Sequence, residues 1–508
     1  MRKGKCRWGA ALLALPLAAC MVGPDYRRPG APVPSGYKEL AGWKIAEPRE
    51  AIDRGAWWSI YNDPLLDQLE RQVAITNQNV KASEAAFRQA VALVGEAQAN
   101  LFPVIAIDAN ATRNGFGSSR GVTGTSVSTT SVSAGTTSTS RTTTISRGEI
   151  DRSQYSLQGT VNWDLDVWGR IRRQIEGQAA AAQVSAADLA NATLSAQATL
   201  ATSYFNMRAG DSLQRLLEDT VAAYQRSLQI TENQYNAGVA SRADVLAAQA
   251  QLDAAQAQLQ GVGVQRALNE HAIAVLTGHP PADLSIAPAL LPEHVPVVPV
   301  GLPATLLERR PDIAAAERSM QQQNAQIGVA VAAYFPDISL SALGGFVGDP
   351  VRHLFNVTSR VWSLGAAASE TLFNGGGRAA TLAAARASYD ESVASYRQTV
   401  LSALQQVEDE LSTLRILEGQ AEAERAAVAS AQRALDVALN QYRAGTVPYT
   451  TVITQQTLLL SDQQTALAVQ QNRLVASVTL IQALGGGWGV DQLPSSGIIR
   501  DKATAVRF

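Results

Sequence analysis

"NQYNAGVASRADVLAAQ" (Asn233–Gln249) and "NQYRAGTVPYTTVITQQ" (Asn440–Gln456) write one pattern twice, 207 positions apart, with seven of seventeen residues identical. Each copy has a Tyr with a Gly three residues on. Each is flanked on both sides by long Ala- and Gln-rich runs with helical spacing. The stretch reads as the tip of a helical hairpin, used twice.

Before the first tip, no proline interrupts the chain between Gly169 and Pro280. Leu213, Leu217, Val221, Tyr224, Leu228 and Tyr235 recur at threes, fours and a seven. This predicts a helix from about Ile171 to Asn236, on the order of 100 Å long at 1.5 Å per residue. Before the second tip a helix from about Ala379 to Tyr442 is expected. Val393, Val400, Val407 and Leu414 keep a seven-residue spacing there, with Leu404 and Leu411 between. A sustained heptad stripe implies supercoiling helices. Shorter helices are expected over about 65–101 and 240–276 in the first half, and over about 303–334 and 448–484 in the second. Two short helices laid end to end match one long helix beside them, which predicts a tall helical wall.

Strand chemistry interrupts both halves. In "QYSLQGTVNWDLD" (Gln154–Asp166), Tyr155, Leu157, Val161, Trp163 and Leu165 alternate with Ser156, Gln158, Thr160, Asn162 and Asp164. Period 2 gives one apolar and one polar face. Residues 103–113 alternate more weakly, and 337–347 and 358–373 supply two further strand-like stretches. "FNGGGR" (Phe373–Arg378) answers "LDVWGR" (Leu165–Arg170) at an offset of 208, while the Phe-Pro stops at Phe102 and Phe335 lie 233 apart. The surplus falls on the Ser/Thr/Gly-rich residues 115–148, a low-complexity stretch that cannot pack a core. It is expected to be a loop inserted at a hairpin end.

Composition agrees with an elongated helical body. From Gln178 to Thr202, eleven of twenty-five residues are Ala, and aromatics make up 6% of the chain. The N-terminus carries Arg2, Lys3, Lys5 and Arg7, then an apolar run from Ala10 to Ala19 ending in "LAAC". That is a secretory signal. Without residues 1–19 the chain has 38 basic residues against 44 acidic, a net of −6. A weakly acidic chain has no footprint for nucleic acid. Residues 22–56, with Pro24, Pro29, Pro32, Pro34 and Pro48, read as an extended tether with no core of its own. "NDP" (Asn62–Pro64) is a helix start.

After the leader no run of about 18 apolar residues exists, so a membrane span must be a closed barrel. Four strands cannot close one, since the smallest membrane barrels have about eight. Open edges do not survive in lipid. The chain is therefore expected to oligomerise.

"AACMVGPDYRRP" (Ala18–Pro29), "WWSIYNDPLLDQLE" (Trp57–Glu70), "LLERRPDIAAAE" (Leu306–Glu317), "QYRAGT" (Gln441–Thr446) and "ALGGGW" (Ala483–Trp488) occur in that order. Together they resemble the TolC-type outer-membrane efflux proteins, in their OprM/NodT lipoprotein branch. The resemblance covers nearly all of the mature chain. It implies a mainly α fold with a membrane β-barrel. A homotrimer has twelve strands in the outer membrane and a periplasmic tunnel of long helical hairpins. The implied partners are outer-membrane lipid, a periplasmic adaptor (membrane fusion) protein and an inner-membrane pump of the resistance-nodulation-division type.

The implied division is a lipoprotein signal over 1–19, an acylated tether over 20–60 and a first efflux repeat over 61–276. A Pro-rich joint over 277–302, a second repeat over 303–484 and a tail over 485–508 follow. "LAAC" resembles a bacterial lipobox, which implies diacylglycerol on Cys20. Met21 after it, in place of an inner-membrane-retaining Asp, implies the outer membrane. Adaptor docking falls on Tyr235, Gly238, Val239, Tyr442, Gly445 and Thr446. In relatives a Tyr of the second tip contacts an Asp of the first, which maps to Tyr442 and Asp244. Many relatives also have an Asp nine residues after the second Gly, where this chain has Thr454. The gate is then expected to be lined by Thr450, Thr451 and Thr454, with little carboxylate.

No catalytic constellation emerges. His271, His279, His294 and His353 show no ligand spacing. "GGGR" (Gly375–Arg378) lacks the Lys-Ser/Thr of a phosphate loop. "ERR" (Glu308–Arg310) reads as a solvated or salt-bridged helix start. Neither enzyme activity, nor a metal, nor a cofactor is expected. A duct for small toxic compounds is weighed against a protein-secretion duct of the same fold and against a lipid-anchored coiled-coil spacer. The alternating strands disfavour the spacer.

Overall fold

The computed structural model describes residues 21–39, 56–116, 150–300 and 303–505. The signal, Cys20 and most of the Ser/Thr/Gly loop lie outside them. Two compact units are present.

The first gathers 97–172 and 329–378, with Met21 and Val22, around a single antiparallel sheet. Its strands are β1 (Val104–Phe116), β2 (Ile150–Leu165), β3 (Asp337–Gly348) and β4 (Arg360–Ser369), in the order β1-β2-β3-β4. β2 begins four residues before the alternating stretch, and β4 ends at Ser369 rather than 373. Just past its end, the Glu370 carboxylate turns to accept from Arg378 at 2.6 Å.

The register places like with like. Ile105, Val161, Ala342 and Leu364 form one cross-strand row. Ile107, Gly159, Gly344 and Trp362 form the next. Leu157 stands between Ala109 and Phe346, and Trp163 beside Leu340. The opposite face carries rows such as Asp108–Gln158–Gly345 and Ala106–Thr160–Leu343–Ser363. The central rows of one face are therefore apolar across all four strands, and Arg360 ends the row of Leu157 and Phe346. The outer edges of β1 and β4 are unpaired among the described residues.

The second unit contains the hairpins. The chain runs α1 (Pro64–Thr76) and α2 (Gln78–Ala99), then, after the first two strands, α3 (Arg170–Asn236) and α4 (Arg242–Leu276). The second half runs α5 (Leu306–Arg309) and α6 (Pro311–Ala332), then, after the other strands, α7 (Gly377–Arg443) and α8 (Tyr449–Ala483). A short α9 (Ser496–Ala505) closes the chain. Both long helices are 67 residues, and both partner helices are 35. None of the described helices is apolar enough to cross a membrane. The heptad stripe faces inward: Val400, Val407, Leu411 and Leu414 are buried, and Val393 and Leu404 pack against the same core. Tyr204, Phe205, Trp57, Leu66 and Val73 complete it.

Two expected helices are broken. Asn77 ends α1, and its Oδ1 accepts from the Asn79 and Val80 amides to start α2. Pro311 separates α5 from α6, because the residue before a proline is pushed to extended backbone; Arg310 sits at ψ 123°. At the other expected start, Asp63 caps α1 by accepting from Leu65 and Leu66, with Pro64 at the first position.

The tether is more engaged than its composition implies. Arg28 donates to the Tyr396 hydroxyl and lies 3.5 Å from Glu317. Glu408 accepts the amides of Lys38 and Glu39, and Asn324 donates to the Pro24 carbonyl. Tyr37 is buried in the main core. Its described residues form no helix or strand, yet they borrow a core from the hairpins.

Candidate functional site: the hairpin tips

Both tips are built alike. Helices α3 and α7 each stop at a glycine in left-handed backbone, Gly238 at φ 73° and Gly445 at φ 74°. Only glycine adopts that conformation without a Cβ penalty. The amides of Gly238 and Val239 reach back to Tyr235 and Gln234. Those of Gly445 and Thr446 reach back to Tyr442 and Gln441.

The second helices start differently. Ser241 caps α4 in a reciprocal box: its hydroxyl accepts from the Asp244 amide, and the Asp244 carboxylate accepts from the Ser241 amide at 3.0 Å. Pro448 caps α8 with no side-chain bond. Thr451 stands where Asp244 stands in the other copy, 207 residues on.

The tyrosines differ too. Tyr235 is 44% exposed, whereas Tyr442 is 6% exposed and its ring lies 5.2 Å from that of Tyr449. Both rings belong to an apolar cluster with Ala248, Leu435, Val452 and Leu459. Beneath it, Gln456 donates to the Ser227 hydroxyl at 2.9 Å in a buried polar seam. Burial pushes the Tyr449 hydroxyl up to about 12 and raises that of Tyr442 as well. The Tyr442 hydroxyl has no hydrogen-bond partner. Thr231, beside it, donates instead to the Ser227 carbonyl.

Tyr442 and Asp244 are not hydrogen-bonded to each other. The capping box uses the Asp244 carboxylate, and Tyr449 packing holds the Tyr442 ring inside. Of the residues expected at the docking surface, Tyr235, Gly238, Val239, Gly445 and Thr446 are exposed, and Tyr442 is not. Thr450 and Thr454 are exposed and Thr451 half-buried; the Thr454 hydroxyl donates to the Thr450 carbonyl at 2.9 Å. A groove of about 470 Å³ between α7 and α8 opens beside Thr451, lined by Arg433, Val437, Gln441 and Gln455.

Residue-type reasoning missed Ser227 and Gln456, which look like any other polar helix residues. Of the two readings of Arg310, solvated or salt-bridged, the second holds. Arg310 is nearly buried. It pairs with Asp312 at 2.7 Å and donates to the Ala483 carbonyl at 2.7 Å and to Gln406 at 3.0 Å. Among the described residues no group of three or more His, Cys, Asp or Glu is placed to hold a metal.

The family model described as "Outer membrane efflux protein" matches residues 69–279 and 302–486. The antibiotic efflux pump outer membrane protein ArpC of Pseudomonas putida is 30% identical over 94% of this chain and 95% of its own length. The toluene efflux pump outer membrane protein TtgC of Pseudomonas putida matches to the same extent. Among solved structures, the outer-membrane channel OprN superposes with a TM-score of 0.81 at 29% identity, covering 92% of this chain and all of that one.

Proposed function

We propose, from the premise that this chain belongs to the outer membrane efflux protein family, that three copies close one twelve-stranded barrel and one helical tunnel. The chain is an outer-membrane efflux channel, not an enzyme. The observation that carries the trimer is the sheet: four strands, two edges unpaired among the described residues, and one face whose central rows are apolar on every strand. In lipid every backbone amide and carbonyl needs a partner. A neighbour's β1 supplies it to β4, and each apolar face then meets the bilayer.

In this reading the polar face lines the duct and a pump in the inner membrane supplies the energy. A periplasmic adaptor docks at the exposed Tyr235, Gly238, Val239, Gly445 and Thr446, and an acyl chain on Cys20 holds the N-terminus to the same membrane. The pump is of the resistance-nodulation-division type. The relatives ArpC and TtgC are named for efflux of antibiotics and of toluene. We extend that class, toxic organic compounds, to this chain. The residue divisions 61–276 and 303–484 are the two repeats, joined by 277–302.

Charge placement tests the barrel. A lysine on the lipid face near mid-bilayer costs roughly 2–4 kcal/mol. Val161→Lys is expected to abolish SDS-resistant trimers in outer-membrane fractions, while Thr160→Lys leaves them. Equal yields would refute the assignment of faces. Labelled palmitate is expected on the wild type and not on Cys20→Ala; label on the variant would refute the anchor. A deletion strain hypersensitive to organic toxicants would support the cargo class, and unchanged sensitivity to a broad panel would count against it.

A further inference from the structure

The β3–β4 connection is a built loop, not a slack one. The amides of His353, Leu354, Asn356 and Ser359 each close a turn inside it. Leu354 is buried and the Ser359 hydroxyl donates to the His353 carbonyl at 2.8 Å. Gly348 admits this fold, since a Cβ there would lie 2.9 Å from the Ser359 hydroxyl. Yet the same loop holds Val351, Phe355 and Val357 outward, at 56%, 68% and 85% exposure. A folded loop that displays three large apolar side chains is not arranged for water.

Its place on the sheet gives the direction. Phe355 packs edge-on against Phe346 at 5.5 Å. Phe346 belongs to the apolar face, in the row Ala109–Leu157–Phe346–Arg360. The loop therefore extends that face beyond the strand ends, and Arg360 closes the row.

The cations differ between the two ends of the sheet. At the end away from this loop, Arg170 lies 3.5 Å from Asp337, Arg172 3.1 Å from Asp166, and Arg378 2.6 Å from Glu370. At the loop end, Arg352 and Arg360 have no carboxylate partner among the described residues. Arg352 spends its Nε on the His353 ring at 3.1 Å, which leaves its terminal nitrogens free to donate elsewhere. Apolar side chains backed by unpaired guanidinium groups are the pattern that binds an anionic membrane surface.

We propose that the loop Asp349–Ser359 with Arg360 is a binding edge for the phosphate-bearing headgroup of an anionic membrane lipid. Val351, Phe355 and Val357 enter the acyl boundary, while Arg352 and Arg360 hold the phosphate by paired N–H donors. The inference rests on the barrel reading above, and the experiment separates the two. The full-length protein is reconstituted into nanodiscs of equal phosphatidylglycerol and phosphatidylcholine. After partial delipidation, the lipids retained on the trimer are weighed by mass spectrometry.

The wild type is expected to retain phosphatidylglycerol several-fold over phosphatidylcholine. Arg352→Gln with Arg360→Gln is expected to lose that preference while still forming SDS-resistant trimers. Arg352→Lys with Arg360→Lys is expected to keep most of it. Arg170→Gln, whose arginine already has a carboxylate, is expected to keep all of it. Equal preference in the wild type and the double Gln variant overturns the proposal. Loss of the preference in excess inorganic phosphate also overturns it, because the arginines would then be a free-anion site. Failure of the wild type to insert as trimers would instead break the barrel reading and this inference with it.

Discussion

The two halves of the chain solve one joint with different residues. In the first half the Asn77 side-chain Nδ2 donates to the Leu276 carbonyl at 2.8 Å, tying the break between α1 and α2 to the end of α4. In the second, Arg310 makes the same tie to Ala483, the end of α8, at 2.7 Å. Asn77 and Arg310 are 233 residues apart and Leu276 and Ala483 are 207 apart, the two offsets that separate the repeats elsewhere. A glycine locks each joint. Gly278 has φ 74° and a Cβ on it would stand 2.6 Å from the Thr76 carbonyl; Gly485 has φ 95° and a Cβ would stand 2.0 Å from the Arg309 carbonyl. Backbone geometry is kept between repeats, while the side chain that serves it is free to change from a neutral amide to a guanidinium paired with Asp312.

The two joints are expected to fail unequally. Positive φ costs an alanine about 1–2 kcal/mol, and overlap with a carbonyl adds to that. Gly485→Ala, with the closer approach, is expected to abolish assembled trimer. Gly278→Ala is expected to lower the thermal midpoint of the trimer by a smaller step. Equal effects would break the ranking.

Next in size are the side chains. Hydrogen bonds to a charged group contribute about 1.5–3 kcal/mol, against about 1 kcal/mol for a lost helix cap. Arg310→Met is therefore expected to destabilise more than Asn77→Ala in guanidinium titrations followed by circular dichroism. The reverse order would show that the amide carries the joint.

Glu70 sharpens the contrast further. It lies in α1, fully buried, with neither carboxylate oxygen bonded, and burial holds its pKa well above the ordinary 4.5. The corresponding position of the second half is Pro303. The folded chain keeps a proton that the unfolded chain releases above about pH 4.5. Stability is thus expected to fall as pH rises from there toward the folded value. Glu70→Gln is expected to flatten that slope. An unchanged slope in the variant would assign it to other groups.

The smallest effect belongs to the tip. The Tyr442 hydroxyl has no partner to lose, so Tyr442→Phe is expected within about 0.5 kcal/mol of wild type, with unchanged conductance. A clear rise in conductance would mean that the hydroxyl latches something in the assembled tunnel.

What the sequence made legible was whatever repeats or alternates. The heptad run from Val393 to Leu414 marks the buried face of α7, and period-2 alternation from Tyr155 to Leu165 marks the apolar face of β2. The tips were legible because glycine at Gly238 and Gly445 is a backbone necessity that survives divergence. The local use of Asp244 was not read from the relatives: an Asp three residues after Ser241 also caps α4, which a residue-by-residue transfer overlooks. Asn77 and Arg310 were missed for the opposite reason. They are unlike in type, and only the shared offset of 233 reveals that they do one job. The tether was underread because proline-rich composition reports the lack of an intrinsic core, not contacts such as Arg28 with Tyr396 that another element provides.

Closure of the barrel by neighbouring copies is tested most directly by cross-linking the two free sheet edges. In a Cys20→Ala background, Ala106→Cys on β1 is combined in turn with Val361→Cys, Ser363→Cys, Gly365→Cys and Ala367→Cys on β4, and oxidised in outer-membrane vesicles. One or two neighbouring β4 positions are expected to give covalent dimers and trimers on denaturing gels, reversed by reductant, with no such product elsewhere on the strand. Only monomers at every position, with the thiols shown to be present by alkylation, would contradict a barrel closed between copies.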